Sequence, residues 1–344
     1  MSSLILIALV LGILALDVLV RTLVLRLAVP IFESRPLLGA ELYPPDPSAE
    51  SFTIRTRDKV DLAASLFRTP RGVPRGLILF CHELDSNRWS APAYCEGLLA
   101  AGFHVVTFDF RNHGESGRQS GYEPMHWPTE FEVEDARAAL DWLDSRADLR
   151  ELPLGVFGMS RGGAVALVLA AESSRVLCVA SDGAYACMEC LTHYALRWGR
   201  LYIPERVLRW IPRWHFNSSM WLVRTASEWR KGYKYARVSG AMSRLRDKPV
   251  LMISGQRDNY VIPSMTYNLH ARTGQDPSGV WIVPEAKHNM AREADPAEYD
   301  RRLVDFFSFL DRAAWEAESS GQLSAANEKQ PGSLSISPSG APAV

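Results

Sequence analysis

Six short apolar segments, residues 76–81, 103–108, 154–157, 176–180, 250–253 and 280–283, recur along the middle of the chain among stretches with helical patterning. Apolar runs of four to six residues suit strands that are covered on both faces. Helical stretches at 131–143, 162–171, 263–272 and 296–314 fall between or after them. A parallel neighbour requires a crossover of this size. The pattern therefore predicts an α/β fold, a mostly parallel central sheet with helices on both faces. Ahead of it, residues 52–57 and 62–68 flank Asp58-Lys59 and read as an antiparallel hairpin. On such a sheet the chemistry gathers at the carboxyl ends of the strands.

One of those ends carries Gly158-Met159-Ser160-Arg161-Gly162-Gly163, a G-x-S-x-G directly after the 154–157 strand and directly before an apolar helical run. The spacing has a steric reason. A strand that turns at once into a helix crowds the backbone on either side of the serine, and only residues without Cβ fit there. The turn lifts the serine hydroxyl above a helix N-terminus, whose free amides face any negative charge that develops.

A serine hydroxyl is a poor nucleophile at neutral pH and needs a base that a carboxylate holds in one tautomer. Asp258 follows the 250–253 strand and His288 follows the next one, so the order is serine, acid, histidine. Asp182, at the end of the 176–180 strand, is the alternative acid. His82 and His113 lie in loops near the same edge, where their place in the chain suits support of the loops rather than the role of base.

With these residues in place, the chain from about residue 52 to residue 315 resembles the α/β-hydrolase superfamily. The loop Phe80-Cys81-His82-Glu83-Leu84-Asp85-Ser86-Asn87-Arg88 resembles the family's H-G-x oxyanion loop. Asp109-Phe110-Arg111-Asn112-His113-Gly114-Glu115-Ser116-Gly117 is similar to its D-x-R-G-x-G-x-S loop. The resemblance implies an acyl-enzyme formed on Ser160, with His288 as base, Asp258 as the acid that orients it, and backbone N–H groups of Arg161 and Leu84 holding the oxyanion. Glu83 stands where the family has glycine, so its carboxylate has to point away from that oxyanion.

The N-terminus carries a different signal. Residues 4–16 form an apolar run that resumes after Asp17, with thirteen Leu, Ile or Val between Leu4 and Val20. Each favours insertion by about 0.3 to 0.6 kcal/mol, against at most about 3 for the one aspartate, so the segment is expected to enter a membrane. It lacks the basic start and A-x-A site of a cleaved signal peptide, and an uncleaved anchor is expected. The alternative is a helix lying along the interface. Asp17 stands four residues before Arg21 and can pair with it on one helix face. Arg21, Arg26 and Arg35 follow the span and no basic residue precedes it, which predicts a single-pass anchor with the remainder on the cytoplasmic side.

The expected organisation is an anchor over 1–30, a linker over 31–50, a hydrolase domain over 51–317 and a tail over 318–344 too poor in large apolar residues to fold. More than sixty residues between Asp182 and Pro249 read as a helical cap inserted at about 183–247. Residues 191–240 hold ten Arg or Lys against two Asp or Glu, and five of the ten tryptophans. That mixture suits either a membrane interface or an acyl pocket, or simply the packing of the cap onto its core. The linker before Phe52 predicts that residues 4–29 can be removed without loss of activity on short soluble esters.

A formal net charge of −1 and the lack of a basic stripe in any nucleic-acid motif exclude nucleic acid as a partner class. The five cysteines are an odd, scattered set that suits a reducing compartment, and the lone Cys187-Met188-Glu189-Cys190 has no second pair at zinc spacing. Neither cofactor nor metal is expected, and the oligomeric state is left open. The reading is a serine hydrolase that cleaves carboxylic esters or thioesters of apolar or lipid-like substrates. Its alternatives are an acyltransferase using the same serine and a membrane-tethered binding protein that keeps the fold without the activity.

Overall fold

The computed structural model describes residues 2–34 and 42–311. A single helix, α1 (Ser2–Phe32), leads into the hairpin of β1 (Glu50–Arg55) and β2 (Asp61–Phe67). Strands and helices then alternate: β3 (Gly76–Cys81), α2 (Ala91–Ala101), β4 (Phe103–Phe108), α3 (Glu130–Ser145), β5 (Leu154–Met159), α4 (Ser160–Glu172) and β6 (Val176–Asp182). Four helices follow without an intervening strand: α5 (Cys187–Tyr202), α6 (Glu205–Leu208), α7 (Arg213–Lys231) and α8 (Val238–Ala241). The chain closes with β7 (Val250–Gly255), α9 (Pro263–Ala271), β8 (Val280–Val283), α10 (Ala291–Ala294) and α11 (Pro296–Phe307). α11 is followed by a turn at Ser308 and helical residues again at 309–311, while residues 312–314 of the expected helix and the tail expected over 318–344 lie outside the described residues.

The eight strands form one sheet in the order β1-β2-β4-β3-β5-β6-β7-β8. β1 and β2 pair antiparallel, β2 meets β4 antiparallel, and every later pairing is parallel. β4 lies on one side of β3 and β5 on the other, so the strand order reverses at β3. The crevice between the carboxyl ends of β3 and β5 is where such sheets bind ligands. Alternate residues of each strand feed opposite faces. Leu77, Leu79, Leu154 and Val156 join the cluster that holds residues of α3 and α4, and Ile78, Phe80, Phe157 and Met159 join the one that holds residues of α2 and α11.

A third apolar cluster joins α1 to the helical insert: Val29 and Phe32 are buried with Trp127, Tyr185, Val223 and Tyr235. The Trp127 indole N–H donates to the Phe32 carbonyl at 3.0 Å, and the two rings stack at 5.1 Å. Here the structure departs from an anchor ending at residue 30 on a free linker. The helix continues to Phe32, and its second half is packed against α7. Residues 35–41 of the expected linker lie outside the described residues.

Candidate active site

Ser160 is the first residue of α4 and has φ 49°, in the left-handed region that a side chain rarely adopts. The surrounding glycines make that turn possible. A Cβ on Gly162 would lie 2.3 Å from the carbonyl oxygens of Cys81 and His82, and one on Gly158 would lie 2.5 Å from the Gly162 carbonyl. These neighbours are backbone and cannot swing aside, so glycine is required at both positions.

The elbow is also locked from below. The Arg161 side chain is buried and forms an ion pair with Glu132 at 2.7 Å, while its guanidinium donates to the Tyr122 hydroxyl at 3.0 Å. Glu132 in turn closes the capping box of α3, accepting from the Thr129 N–H at 2.8 Å. Sequence reading missed Glu132 and Tyr122. The signal for the first was present as Thr129-x-x-Glu132 ahead of an apolar run, a capping box. Nothing local announced its pairing with Arg161.

The structure brings Ser160, His288 and Asp258 together. Ser160 Oγ lies 2.7 Å from His288 Nε2, and His288 Nδ1 lies 2.7 Å from Asp258 Oδ2. A carboxylate opposite Nδ1 makes that nitrogen the donor and leaves Nε2 free to accept the serine proton. Asp258 is buried, and its other oxygen accepts from the N–H groups of Tyr260 and Val261, both at 2.7 Å. The Tyr260 ring packs 5.3 Å from the imidazole. Asp182, the alternative acid, does not reach His288. Its Oδ2 accepts from the Tyr299 hydroxyl at 3.1 Å, and burial pushes its carboxyl up to about 7.

Arg161 and Leu84 lie just beyond the paired ends of β5 and β3, where Gly158 sits opposite Cys81. Glu83 turns its carboxylate to α2. Oε1 accepts from the Tyr94 hydroxyl at 3.3 Å, Oε2 is buried without a hydrogen-bond partner, and burial raises the pKa of the group. Glu83 thus faces α2 and Tyr94, and burial disfavours its charged form. The two loop histidines are structural. His82 Nδ1 donates to the Glu83 carbonyl at 2.6 Å and Nε2 accepts from the Phe110 N–H at 3.1 Å, and burial lowers the pKa of His113 to about 3. Asp109 ties the loop after β4 to Arg88, with an ion pair at 2.5 Å.

A cavity of ≈ 610 Å³ lies elsewhere, between α5, α8 and α9, with Glu189, Arg224, Arg237 and Arg272 in its walls. Ser160 and His288 are not among its lining residues. Among the described residues no group of acidic, histidine or cysteine side chains could hold a metal ion, and the five cysteines are buried as free thiols.

Comparison with known proteins agrees with this architecture. Residues 76–220 match a family model described as the alpha/beta hydrolase fold. YqkD of Bacillus subtilis is 26% identical over 246 residues, covering 69% of this chain and 72% of its own. A 31.7 kDa protein encoded between traX and finO in Escherichia coli is 30% identical over 125 residues, or 36% of this chain, which spans 42% of that protein's length. Among solved structures, an esterase of Pyrococcus furiosus superposes with a TM-score of 0.57 at 22% identity, covering 80% of this chain and 97% of that one. GrgF, an alpha/beta hydrolase from Penicillium, gives 0.54 at 15% identity, over 77% and 98%. With its eight-stranded sheet reversing at β3 and its serine on a strand-to-helix elbow, this chain is a protein of the α/β-hydrolase fold.

Proposed function

We propose that the protein is a serine hydrolase that cleaves carboxylic esters or thioesters with apolar acyl groups. The observation that carries this reading is the unbroken hydrogen-bonded chain from Ser160 through His288 to Asp258. Ser160 Oγ attacks the acyl carbonyl as its proton passes to His288 Nε2. Asp258 stabilises the imidazolium that forms and does not take the proton itself. The carbonyl oxygen becomes an oxyanion, for which the N–H groups of Arg161 and Leu84 are the donors, each worth roughly 3 to 4 kcal/mol. The imidazolium then protonates the leaving alcohol or thiol. An acyl-serine remains, and water activated by the same histidine hydrolyses it. The esterase named among the structural neighbours is consistent with this chemistry. The Tyr260 ring beside the imidazole, itself packed on Tyr185, favours an apolar acyl group over a polar substrate.

We also propose that α1 is an uncleaved anchor, with the hydrolase on the cytoplasmic side. The helix is long and apolar enough to cross a membrane, and residues Leu4 to Leu16 are exposed. Packing of its second half on α7 favours retention over cleavage, and the arginines that follow the span favour the cytoplasmic orientation.

Reaction with a fluorophosphonate, followed by mass spectrometry of the labelled peptide, tests the mechanism, and nitrophenyl esters of rising length test the substrate class. Label is expected on Ser160 and lost in Ser160→Ala, with kcat falling on the order of a million-fold for Ser160→Ala or His288→Ala. An unlabelled protein without turnover would leave the tethered binding protein as the reading.

A further inference from the structure

α1 and α7 run parallel along their contact. Asp17 faces His215 at 3.3 Å, Arg21 donates to Ser218 Oγ at 3.0 Å, and Glu33 faces Arg230 at 3.6 Å, so position rises together on both helices. The start of α7 is therefore the end that lies beside Asp17, where α1 leaves the body and continues as residues 2–16. α5 returns to the same end. Its first residue, Cys187, lies near Arg224 and Glu228 in the second half of α7, and Gly199 near its far end packs against Leu208 of α6. The ten residues 203–212 then join it to α7.

This tip, residues 197–214, is unlike the rest of the insert. Trp198, Leu201, Tyr202, Val207, Trp210 and Trp214 are all exposed. Arg197, Arg200, Arg206, Arg209 and Arg213 are exposed as well, and Glu205 is the only acidic residue in the stretch. Each of the five arginines lacks an ion-pair partner among the described residues, whereas arginines elsewhere on the surface are commonly paired. Position adds a second constraint. α1 leaves the body beside the start of α7, so a bilayer entered by residues 2–16 lies next to this tip.

We infer that the tip formed by the end of α5, by α6 and by the start of α7 is a second membrane contact, seated in the interface of an anionic leaflet on the side from which α1 emerges. The aromatic side chains occupy the boundary between headgroups and acyl chains, and the unpaired arginines face lipid phosphates and carboxylates. The Asp17–Arg21–His215 cluster fixes the angle between anchor and tip, which holds the cap against the leaflet instead of leaving it on a tether. The inference rests on the anchor reading and not on the ester-cleaving one.

The test uses the full chain reconstituted into vesicles of phosphatidylcholine with phosphatidylserine. Because the native cysteines are buried, an environment-sensitive fluorophore can be placed on single cysteines from Leu9→Cys in the anchor, Leu201→Cys and Trp210→Cys in the tip, and Trp229→Cys as the control. Trp229 is 86% exposed and Trp210 87%, but Trp229 lies at the opposite end of α7. Labels at 9, 201 and 210 are expected to be quenched by brominated lipid and shielded from iodide, with the reverse at 229. Loss of the protection at 201 and 210, but not at 9, is expected when phosphatidylserine is omitted or Arg206 and Arg209 are both replaced by glutamate. Labels at 201 and 210 as open to iodide as 229, with 9 protected, would overturn the seating of the tip. A label at 9 open to iodide would overturn the anchor and this inference with it. Turnover of a soluble ester by the same samples reports the hydrolase separately.

Discussion

The tip that leads into the start of α7 and the elbow of α4 handle charge in opposite ways. Around Ser160, charged side chains are withdrawn from water and matched, as with Arg161 and Glu132 or Arg88 and Asp109. At the tip over 197–214, five arginines are exposed and unmatched beside exposed tryptophans. A buried ion pair loses hydration and is held only by its partner, which at the elbow lies inside the chain. Exposed apolar area beside unpaired charge has no internal partner, and its stabilisation has to come from outside the chain.

Breaking the internal matching should have the largest effect. Arg161→Met strands Glu132 as a buried charge and is expected to cost about 3–5 kcal/mol in chemical denaturation. Arg161→Met with Glu132→Gln is expected to recover a large part of that loss, since the amide still accepts from Thr129. Equal stability of the single and double variants would mean that the pair does not hold the elbow.

A smaller effect comes from Asp182. Its carboxyl stands near 7 in the folded protein because burial disfavours the charge, well above the ordinary carboxylate value. The folded state therefore holds a proton that the unfolded chain has released, and the associated stability is present at low pH and lost as pH rises through 7. Between pH 5 and pH 8 this amounts to on the order of 2–3 kcal/mol. The wild-type Tm is expected to fall over that range, and Asp182→Asn to flatten the fall. Parallel slopes in the two proteins would show that Asp182 does not ionise there.

The smallest effect is expected where the comparison says nothing internal is lost. Trp210→Ser should change unfolding free energy by less than about 0.5 kcal/mol and leave soluble-ester turnover unchanged. A substantial destabilisation would mean that the tip is part of the internal packing after all.

Much of the sheet and the site was legible in the chain. The strands could be read from short apolar runs, and Ser160, Asp258 and His288 from their places just beyond strand ends. Such signals are local, because strand burial and the glycine demand of a tight turn act within a few residues. The elbow is the sharpest case, since the contacts that exclude a Cβ at Gly158 come from Gly162 and Gly163 themselves. Composition likewise identified α1 as a membrane-compatible segment and the insert as rich in tryptophan and arginine.

What the chain alone did not carry were meetings between distant residues. The Arg161–Glu132 pair, the turn of Glu83 toward Tyr94 and the choice of Asp258 over Asp182 all depend on where side chains arrive after the helices have packed. Docking is the plainest example. A linker from residue 31 was expected, and with it removal of 4–29 without loss of activity on short soluble esters. Yet Val29 and Phe32 are buried against the body, so only residues 2–16 are free of it. The sequence by itself determined which segments become strands, where Ser160 sits on its elbow and which helix is apolar enough for lipid, because each follows from backbone sterics and local hydrophobicity. Only the tertiary structure decided that α1 lies parallel on α7 and that the tryptophans at the tip of the insert face outward, because apolar residues are equally suited to a core or to a bilayer until packing assigns them a side.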